Sequence, residues 1–178
     1  MIVFAPLRDP VEAINSHLRR AGHAVHCTWI PALGDLGDAL TQLNPEMLIC
    51  QPQADGELSA VAAVRNQLAP QVPLIALLEA ADETAIAGAI AVGARDAVTL
   101  ARPDRLRAVI ERELRSFRLE RALSTTLQSA RDYRKQLETV LQRSNDAIAQ
   151  VQEGIVVGAN ASWLDVFGYA REGQVIGQ

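Results

Sequence analysis

The residues best suited to hold a metal ion or to act as nucleophiles are three histidines and two cysteines, all within the first fifty residues. His17, His23 and His26 fall in a predicted helix and strand, and no acidic or cysteine partner lies at the spacing of metal ligands. We expect them to lie at the surface or to be satisfied by hydrogen bonds. Cys27 and Cys50 fall in predicted buried strands, which indicates small core side chains in a reducing compartment. These residues therefore predict no metal centre and no redox pair.

Two aspartates lie near the ends of predicted strands, where they could take part in metal or phosphoryl chemistry. Each also precedes a predicted helix, and aspartate is a preferred N-cap residue. We therefore predict that Asp9 caps a helix beginning at Pro10, and that Asp55 caps the helix Glu57–Leu68. The glycines of residues 34–37 (sequence GDLG) are interpreted as a loop and helix start rather than a phosphate-binding loop. The sequence contains no nucleophile motif and no CxxC pair.

The composition narrows the class of protein. The chain has 178 residues, of which 49% are hydrophobic and 21% charged, with a formal net charge of −4. The acidic balance gives no electrostatic reason to expect nucleic acid or an anionic membrane as a partner. No signal peptide is visible, and no apolar run approaches the roughly 18 residues of a membrane span. We expect a cytoplasmic protein of one or two domains.

Short apolar stretches alternate with helical patterns through residues 1–115. The predicted strands cover residues 2–7, 23–30, 47–50, 73–78 and 96–100. The predicted helices cover residues 10–21, 36–43, 57–68 and 83–92, the last capped by Asp82, and a long helix begins at Pro103. This alternation predicts an α/β fold: a flavodoxin-like, five-stranded parallel sheet of order 2-1-3-4-5 with helices on both faces.

Residues 1–115 resemble the receiver domains of bacterial response regulators in the order and spacing of five short markers. The markers are Gly22, Pro45-Glu46, Asp55-Gly56, Val72-Pro73 and Gly93-Ala94. The resemblance implies a phosphorylation site at the carboxyl ends of the strands. Such a site needs an acidic pair for Mg²⁺, an aspartate acceptor, a hydroxyl group and a lysine.

Every charged group of that site is missing from this chain. Counting from the markers, the acidic pair falls on Ala5 and Pro6, the acceptor on Gln51, the hydroxyl on Leu78 and the lysine on Leu100. The position of the aromatic switch residue is Ala97. We predict a degenerate receiver that binds no Mg²⁺ or other cofactor and does not undergo the usual phosphorylation. Two alternatives remain open: phosphorylation at a displaced acceptor such as Asp55, and binding of a small ligand beside Gln51, Leu78 and Leu100.

The long helix is predicted to continue from Pro103 to Val151, roughly 70 Å at about 1.5 Å per residue. The span contains no glycine and, after Pro103, no proline. From Leu123 onward its residues follow the heptad of a coiled coil. One seam position holds Leu127, Arg134, Leu141 and Ile148, and the other holds Leu123, Ala130, Leu137, Ser144 and Val151.

We predict a parallel homodimer whose seam consists of Leu123, Leu127, Leu137, Leu141 and Ile148. The polar seam residues Arg134 and Ser144 indicate a loosened, switchable core. The alternative is a lone helix held only at its ends. Mixed charges along the helix indicate a solvated face rather than a nucleic-acid surface.

The last residues resemble the beginning of a PAS sensor domain. A short strand and a helical turn are predicted over residues 155–157 and 160–167. The resemblance rests on Asn145-Asp146-Ala147-Ile148, the Glu153-Gly154-Ile155-Val156 run, Asn160-Ala161, Leu164, Phe167-Gly168-Tyr169 and Val175-Ile176-Gly177-Gln178. So short a segment cannot bury a core alone, so we expect a fragment of such a domain. The predicted organisation is a degenerate receiver (1–115), a coiled-coil signalling helix (116–151) and the start of a PAS domain (152–178).

This order of parts resembles the N-terminal region of FimX-type cyclic-di-GMP signalling proteins. Their further GGDEF and EAL domains act in type IV pilus-dependent twitching motility. The resemblance implies a regulatory and dimerisation module with protein partners in signalling and no catalytic activity of its own. The predicted partner surface is the Ala-rich fourth helix with the fifth strand and helix. The alternative is the sensory part of a histidine kinase or another two-component protein.

Overall fold

The structure is a computed structural model that describes residues 1–80 and 82–177. The chain divides into two compact units, Met1–Arg121 and Ala122–Gln178. The first unit is built on a sheet of five parallel strands in the order β2-β1-β3-β4-β5, as the sequence predicts. The strands are β1 (Ile2–Phe4), β2 (Thr28–Ile30), β3 (Leu48–Cys50), β4 (Leu74–Leu77) and β5 (Asp96–Val98).

Helices cover both faces of this sheet because its central strands are apolar on both faces. The helices are α1 (Asp9–Arg20), α2 (Leu33–Leu43), α3 (Glu57–Leu68), α4 (Glu83–Ala91) and α5 (Pro103–Arg143). Successive strand residues point to opposite faces, so Ile2 and Phe4 pack in one core and Val3 in the other. The first core takes residues of α2, α3 and α4. The second takes residues of α1 and α5.

One of the three predicted aspartate caps is confirmed and two are wrong. The Asp82 carboxylate accepts the main-chain N–H of Ala85 at 2.8 Å. Asp9 is instead the first residue of α1, where its charge favours the helix dipole. Asp55 makes no cap, because Gly56 takes the N-cap position of α3 with φ +83°. A glycine tolerates that left-handed turn, and the chain therefore enters α3 without an aspartate cap.

The predicted end of the long helix is also wrong. Helix α5 ends at Arg143, so Ser144, Ile148 and Val151 lie beyond it, and Val151 belongs to a strand. The cause is the side chain of Asn160, which donates to the carbonyls of Leu141 (3.0 Å) and Asp146 (2.8 Å). Its Oδ1 accepts the N–H of Ile148 at 2.9 Å, a donor that a longer helix would direct to Ser144.

The second unit contains the end of α5, a two-stranded antiparallel hairpin and a short helix. The hairpin consists of β6 (Ala149–Gln152) and β7 (Ile155–Ala159), and α6 covers Ala161–Phe167, followed by a 3₁₀ turn at Glu172–Gln174. The predicted strand and helical turn are confirmed, whereas β6 was not predicted. Glu153 and Gly154 join the strands with positive φ angles of 52° and 83°. Asn160 also caps α6 by accepting the N–H of Trp163 at 2.9 Å.

Candidate functional site

The positions that correspond to a receiver phosphorylation site do lie together at the carboxyl edge of the sheet. Phe4, Cys50, Ala76 and Ala97 form one row of register partners across β1, β3, β4 and β5. Ala5, Gln51, Leu78 and Leu100 follow within a few residues of that row, and Pro6 comes directly after Ala5. The spacing of the sequence markers therefore assigns positions that lie close together in the fold. The strand register does not test whether these positions correspond to a phosphorylation site.

The side chains at this edge have little capacity for phosphoryl chemistry. Gln51 is half-buried, and its Oε1 has no hydrogen-bond partner among the described residues. Ala5 is fully buried, and Pro6 is exposed. Leu78 and Leu100 are half-buried hydrocarbon side chains. No negative charge is available at these positions to bind Mg²⁺, and an amide is a poor phosphoryl acceptor.

Neighbouring groups do not replace the missing ones. Burial raises the pKa of the Cys50 thiol to about 12, so it is not a thiolate at neutral pH. The buried Thr99 hydroxyl donates to the carbonyl of Glu79 at 3.2 Å. Asp55 is exposed in the turn before α3. Over residues 1–80 and 82–177, no group of three His, Cys, Asp or Glu side chains could hold a metal ion.

The exposed leucine stripe of α5, defined as Leu123, Leu127 and Leu137, is a second candidate site. These side chains are 61%, 50% and 59% exposed, which is unusual for leucines that repeat at heptad spacing. Leu141 is half-buried and lines a cleft within its own unit. Ile148 lies outside the helix, so it drops out of the predicted seam. The stripe therefore ends earlier than the sequence indicates.

Arg134, the polar residue of the predicted seam, forms an ion pair within its own helix. Its Nε lies 2.9 Å from the Glu138 carboxylate, one helical turn later, and both side chains are exposed. Pairs of this spacing contribute only a few tenths of a kcal/mol, about 0.3–0.5 kcal/mol. The pair nevertheless removes the net charge from an otherwise apolar stripe.

The predicted partner surface around α4, β5 and α5 is more charged than expected. Buried Asp96, on the edge strand β5, binds Arg105 (3.0 Å) and Arg112 (2.8 Å). Arg112 also reaches the buried carboxylate of Glu113 at 2.8 Å. Hydrogen bonds to Asp96 and then Glu113 raise the pKa of Arg112 above its ordinary value.

Sequence reasoning missed this cluster, although a signal was present. Arg105 and Arg112 are seven residues apart on one helix, so they share a face. Arg105 also donates to the main-chain carbonyl of Ala97 on the edge strand β5 at 3.4 Å. Ile90 and Val92 remain exposed at the end of α4, so part of the predicted partner surface is apolar.

A further ion pair fixes the last turns of α5 in the first unit. The Arg118 Nε donates to Glu46 Oε1 at 3.0 Å, and the Arg118 Nη2 donates to Glu46 Oε2. The hydrogen bond from Arg118 is the largest cause of the lowered pKa of the Glu46 carboxyl. Glu46 directly precedes the third strand, so the pair ties α5 to the base of the sheet.

Replacing Glu46 with glutamine is expected to reduce the free energy of unfolding by about 0.5–1 kcal/mol at neutral pH, since both partners are partly exposed. A carboxyl with a lowered pKa stabilises the fold above its ordinary value of 4.5, and the contribution disappears as pH falls through the lowered pKa. Urea unfolding at several pH values measures this. The exposed Asp38→Asn variant serves as control, and a loss that stays constant down to acidic pH would contradict the assignment.

Comparison with known proteins places the fold but finds no close relative. No family model and no curated protein matches the chain. A signal receiver domain of a LuxO repressor protein from Vibrio parahaemolyticus matches with TM-score 0.57 and 16% identity, over 68% of this chain and 94% of that one. NtrX from Brucella abortus, in complex with ADP, matches with TM-score 0.61 and 20% identity, over 82% of this chain but only 36% of its own length.

A third solved structure, a beryllofluoride-activated NtrC4 receiver domain dimer, matches with TM-score 0.52 and 15% identity over 65% of this chain. These identities are low, so the likeness shows the fold alone. The first unit has the flavodoxin-like fold of response-regulator receiver domains. In the described residues, no helix is both long and apolar enough to cross a membrane.

Proposed function

We propose that this chain is a regulatory and dimerisation module of a bacterial signalling protein. Its receiver-fold unit acts without aspartyl phosphorylation, and its dimer contact is the leucine stripe of α5. The observation that carries the proposal is the exposure of Leu123, Leu127 and Leu137 at heptad spacing on one helix. A second copy of the chain presents the same stripe, and pairing the two stripes removes their apolar surface from water.

The polar position Arg134 favours parallel pairing in register. In a parallel dimer the two Arg134 side chains share one layer, and each brings its own Glu138 partner. A shifted register would place the arginine against a leucine. Polar residues at such positions specify register at a cost in stability. The proposed signal is then a change in pairing that is passed along α5.

Light scattering tests the oligomeric state. At tens of micromolar protein, the proposal requires the mass of two 178-residue chains. A molar mass of one chain across that concentration range would overturn the proposed dimer. Protein partners beyond the second copy are proposed for the apolar end of α4 near Ile90 and Val92.

Replacing Arg134 with leucine is expected to tighten the dimer at least about tenfold, because an apolar residue then completes the layer. The dimer dissociation constant, measured by sedimentation equilibrium, reports the effect. Arg131→Leu, which removes a neighbouring exposed arginine outside the two seam positions, is the matched control. Weaker pairing in Arg134→Leu than in the control would show that Arg134 does not occupy the seam.

Acetyl phosphate with Mg²⁺ is expected to leave the mass of the protein unchanged. The reason is the composition of the sheet edge, where Ala5, Pro6 and Gln51 supply no carboxylate. Intact-protein mass spectrometry detects an added phosphoryl group, and a receiver domain with a complete acidic site serves as positive control. An adduct that disappears in Asp55→Asn would establish Asp55 as a displaced acceptor and contradict this part of the proposal.

We also propose the wider context of a receiver, signalling helix and PAS domain, with boundaries near residues 115 and 151, in a FimX-type cyclic-di-GMP protein. The support is the hairpin and Asn160-capped helix of the second unit, together with its PAS-like sequence. Reading the residues encoded after Gln178 tests this context. A PAS core followed by GGDEF and EAL sequences supports it, whereas a histidine-kinase core would favour the alternative and contradict the cyclic-di-GMP assignment.

A further inference from the structure

A cleft of about 360 Å³ lies beside α5 in the first unit, away from the carboxyl edge of the sheet. Its floor is apolar: Leu114, which is 8% exposed, lines it, and Ile110 borders the cleft but is fully buried. The exposed side chain of Leu119 adds apolar surface further along the same helix. The volume falls at the lower end of the range of small-molecule pockets, about 300–1,000 Å³.

The rim of the cleft carries charge, and most of that charge is already paired. His23 Nε2 lies 2.7 Å from Glu111 Oε1, and the Arg107 guanidinium lies 3.7 Å from the same carboxylate oxygen. Arg118 is held by Glu46 through three hydrogen bonds from its Nε and Nη2, which fixes its orientation. The acidic and basic groups of these pairs therefore largely cancel.

Arg115 is the exception on this rim. It is exposed, and it has no hydrogen bond or ion pair with any residue in the described part of the chain. A guanidinium presents paired N–H donors that match the two oxygens of a carboxylate. The cleft therefore contains one guanidinium group without an acidic partner among the described residues, next to an apolar floor.

We propose that this cleft binds a small organic carboxylate. Its carboxylate binds Arg115, and its apolar body packs on Leu114 and Leu119. A single unpaired guanidinium suits a monoanion better than a multiply charged phosphate, and the apolar floor selects against small hydrophilic anions. Because His23 lies between α1 and β2, an occupant would connect that loop to α5. The site is independent of the proposed dimer and of the degenerate edge.

Titration of the full chain with sodium benzoate, followed by NMR and by thermal unfolding, tests the site. We expect saturable binding with a dissociation constant on the order of 1 mM, appropriate for so small a ligand. Ligand binding to the folded state should also raise the melting temperature. Arg115→Gln is expected to weaken benzoate at least about tenfold, because it removes the charged donor. Arg131→Gln, an exposed arginine elsewhere on α5, should bind as the parent does.

Two further probes separate the apolar floor from the charge. Acetate and inorganic phosphate should bind at least about tenfold more weakly than benzoate, since neither places hydrocarbon on the floor. Circular dichroism confirms that the variants fold. The proposal is overturned by absence of saturable benzoate binding, by equal affinity in Arg115→Gln, or by phosphate binding as tightly as benzoate.

Discussion

Replacing Leu127 with aspartate is expected to convert the proposed dimer into a monomer at tens of micromolar. Leu127 is half exposed in the chain alone, and in the proposed dimer it faces its counterpart in a core layer. The change removes two leucines from that layer and would force two carboxylates together. The combined cost is about 3–5 kcal/mol or more, which weakens pairing by at least about a hundredfold.

Sedimentation velocity across a concentration series measures this effect. Ser129→Asp is the matched control, because it adds the same charge to the same helix at an exposed position outside the two seam positions. The control should remain dimeric. If Leu127→Asp and Ser129→Asp associate equally, the stripe is not the contact between the two copies.

Replacing Asn160 with alanine is expected to lower the stability of the second unit by about 3 kcal/mol, because four partly buried hydrogen bonds are lost at once. Asn160 is only 3% exposed. Its side chain binds main-chain groups of Leu141, Asp146 and Ile148 and also caps α6. Losing it leaves the end of α5, the start of β6 and the first turn of α6 without a common anchor.

Urea unfolding followed by tryptophan fluorescence resolves this effect. A Trp29→Phe background leaves Trp163 as the reporter of the second unit, where its ring centroid lies 4.4 Å from that of Phe167. Asn145→Ala, at an exposed asparagine, is the control. A difference of less than about 0.5 kcal/mol between the two variants would show that the Asn160 hydrogen bonds are not what anchors this unit.

The sheet of the first unit could be predicted because local and global signals agree there. The run Met47 to Cys50 is wholly apolar and lies between Pro45-Glu46 and Gln51, so its length and its flanking residues fit a buried strand. Strand alternation with helices then leaves few topologies. The strands came out shorter than predicted at several ends, because apolar residues such as Leu78 and Leu100 continue past the last paired residue of the ladder.

The end of α5 has a local signal that the heptad pattern outweighed, and a long-range cause that the sequence does not show. Residues 144–151 keep the heptad, which favoured a longer helix, but Ser144, Asn145 and Asp146 are poor helix formers that favour caps and turns. The stop comes from Asn160, 19 residues after Leu141, whose carbonyl its amide binds. A second non-local contact explains why β6 was not predicted: Gln150 and Val151 become strand residues only by pairing with β7.

The candidate functional residues also include some that the sequence indicates and some that only the structure shows. The positions assigned by spacing stay a prediction, which the strand register supports only by bringing the ends of β1, β3, β4 and β5 to one edge of the sheet. The charged cluster of Asp96, Arg105 and Arg112, and the cleft with Arg115, depend on side chains from distant segments. The pattern of a single sequence does not show which of its many surface charges form ion pairs or hydrogen bonds.

Disulfide cross-linking at Ala130 tests whether two copies of α5 pair in parallel, because Ala130 is a position of the predicted seam between Leu127 and Leu137. The variant Ala130→Cys is made in a Cys27→Ser background. Cys50 is retained because it is buried and has a pKa raised to about 12 by burial. The proposed dimer predicts rapid disulfide-linked dimers under mild oxidation, since a parallel, in-register pair brings the two residues 130 together. Ser129→Cys in the same background should cross-link far more slowly. Equal rates for the two variants, or no dimer with either, would contradict the account.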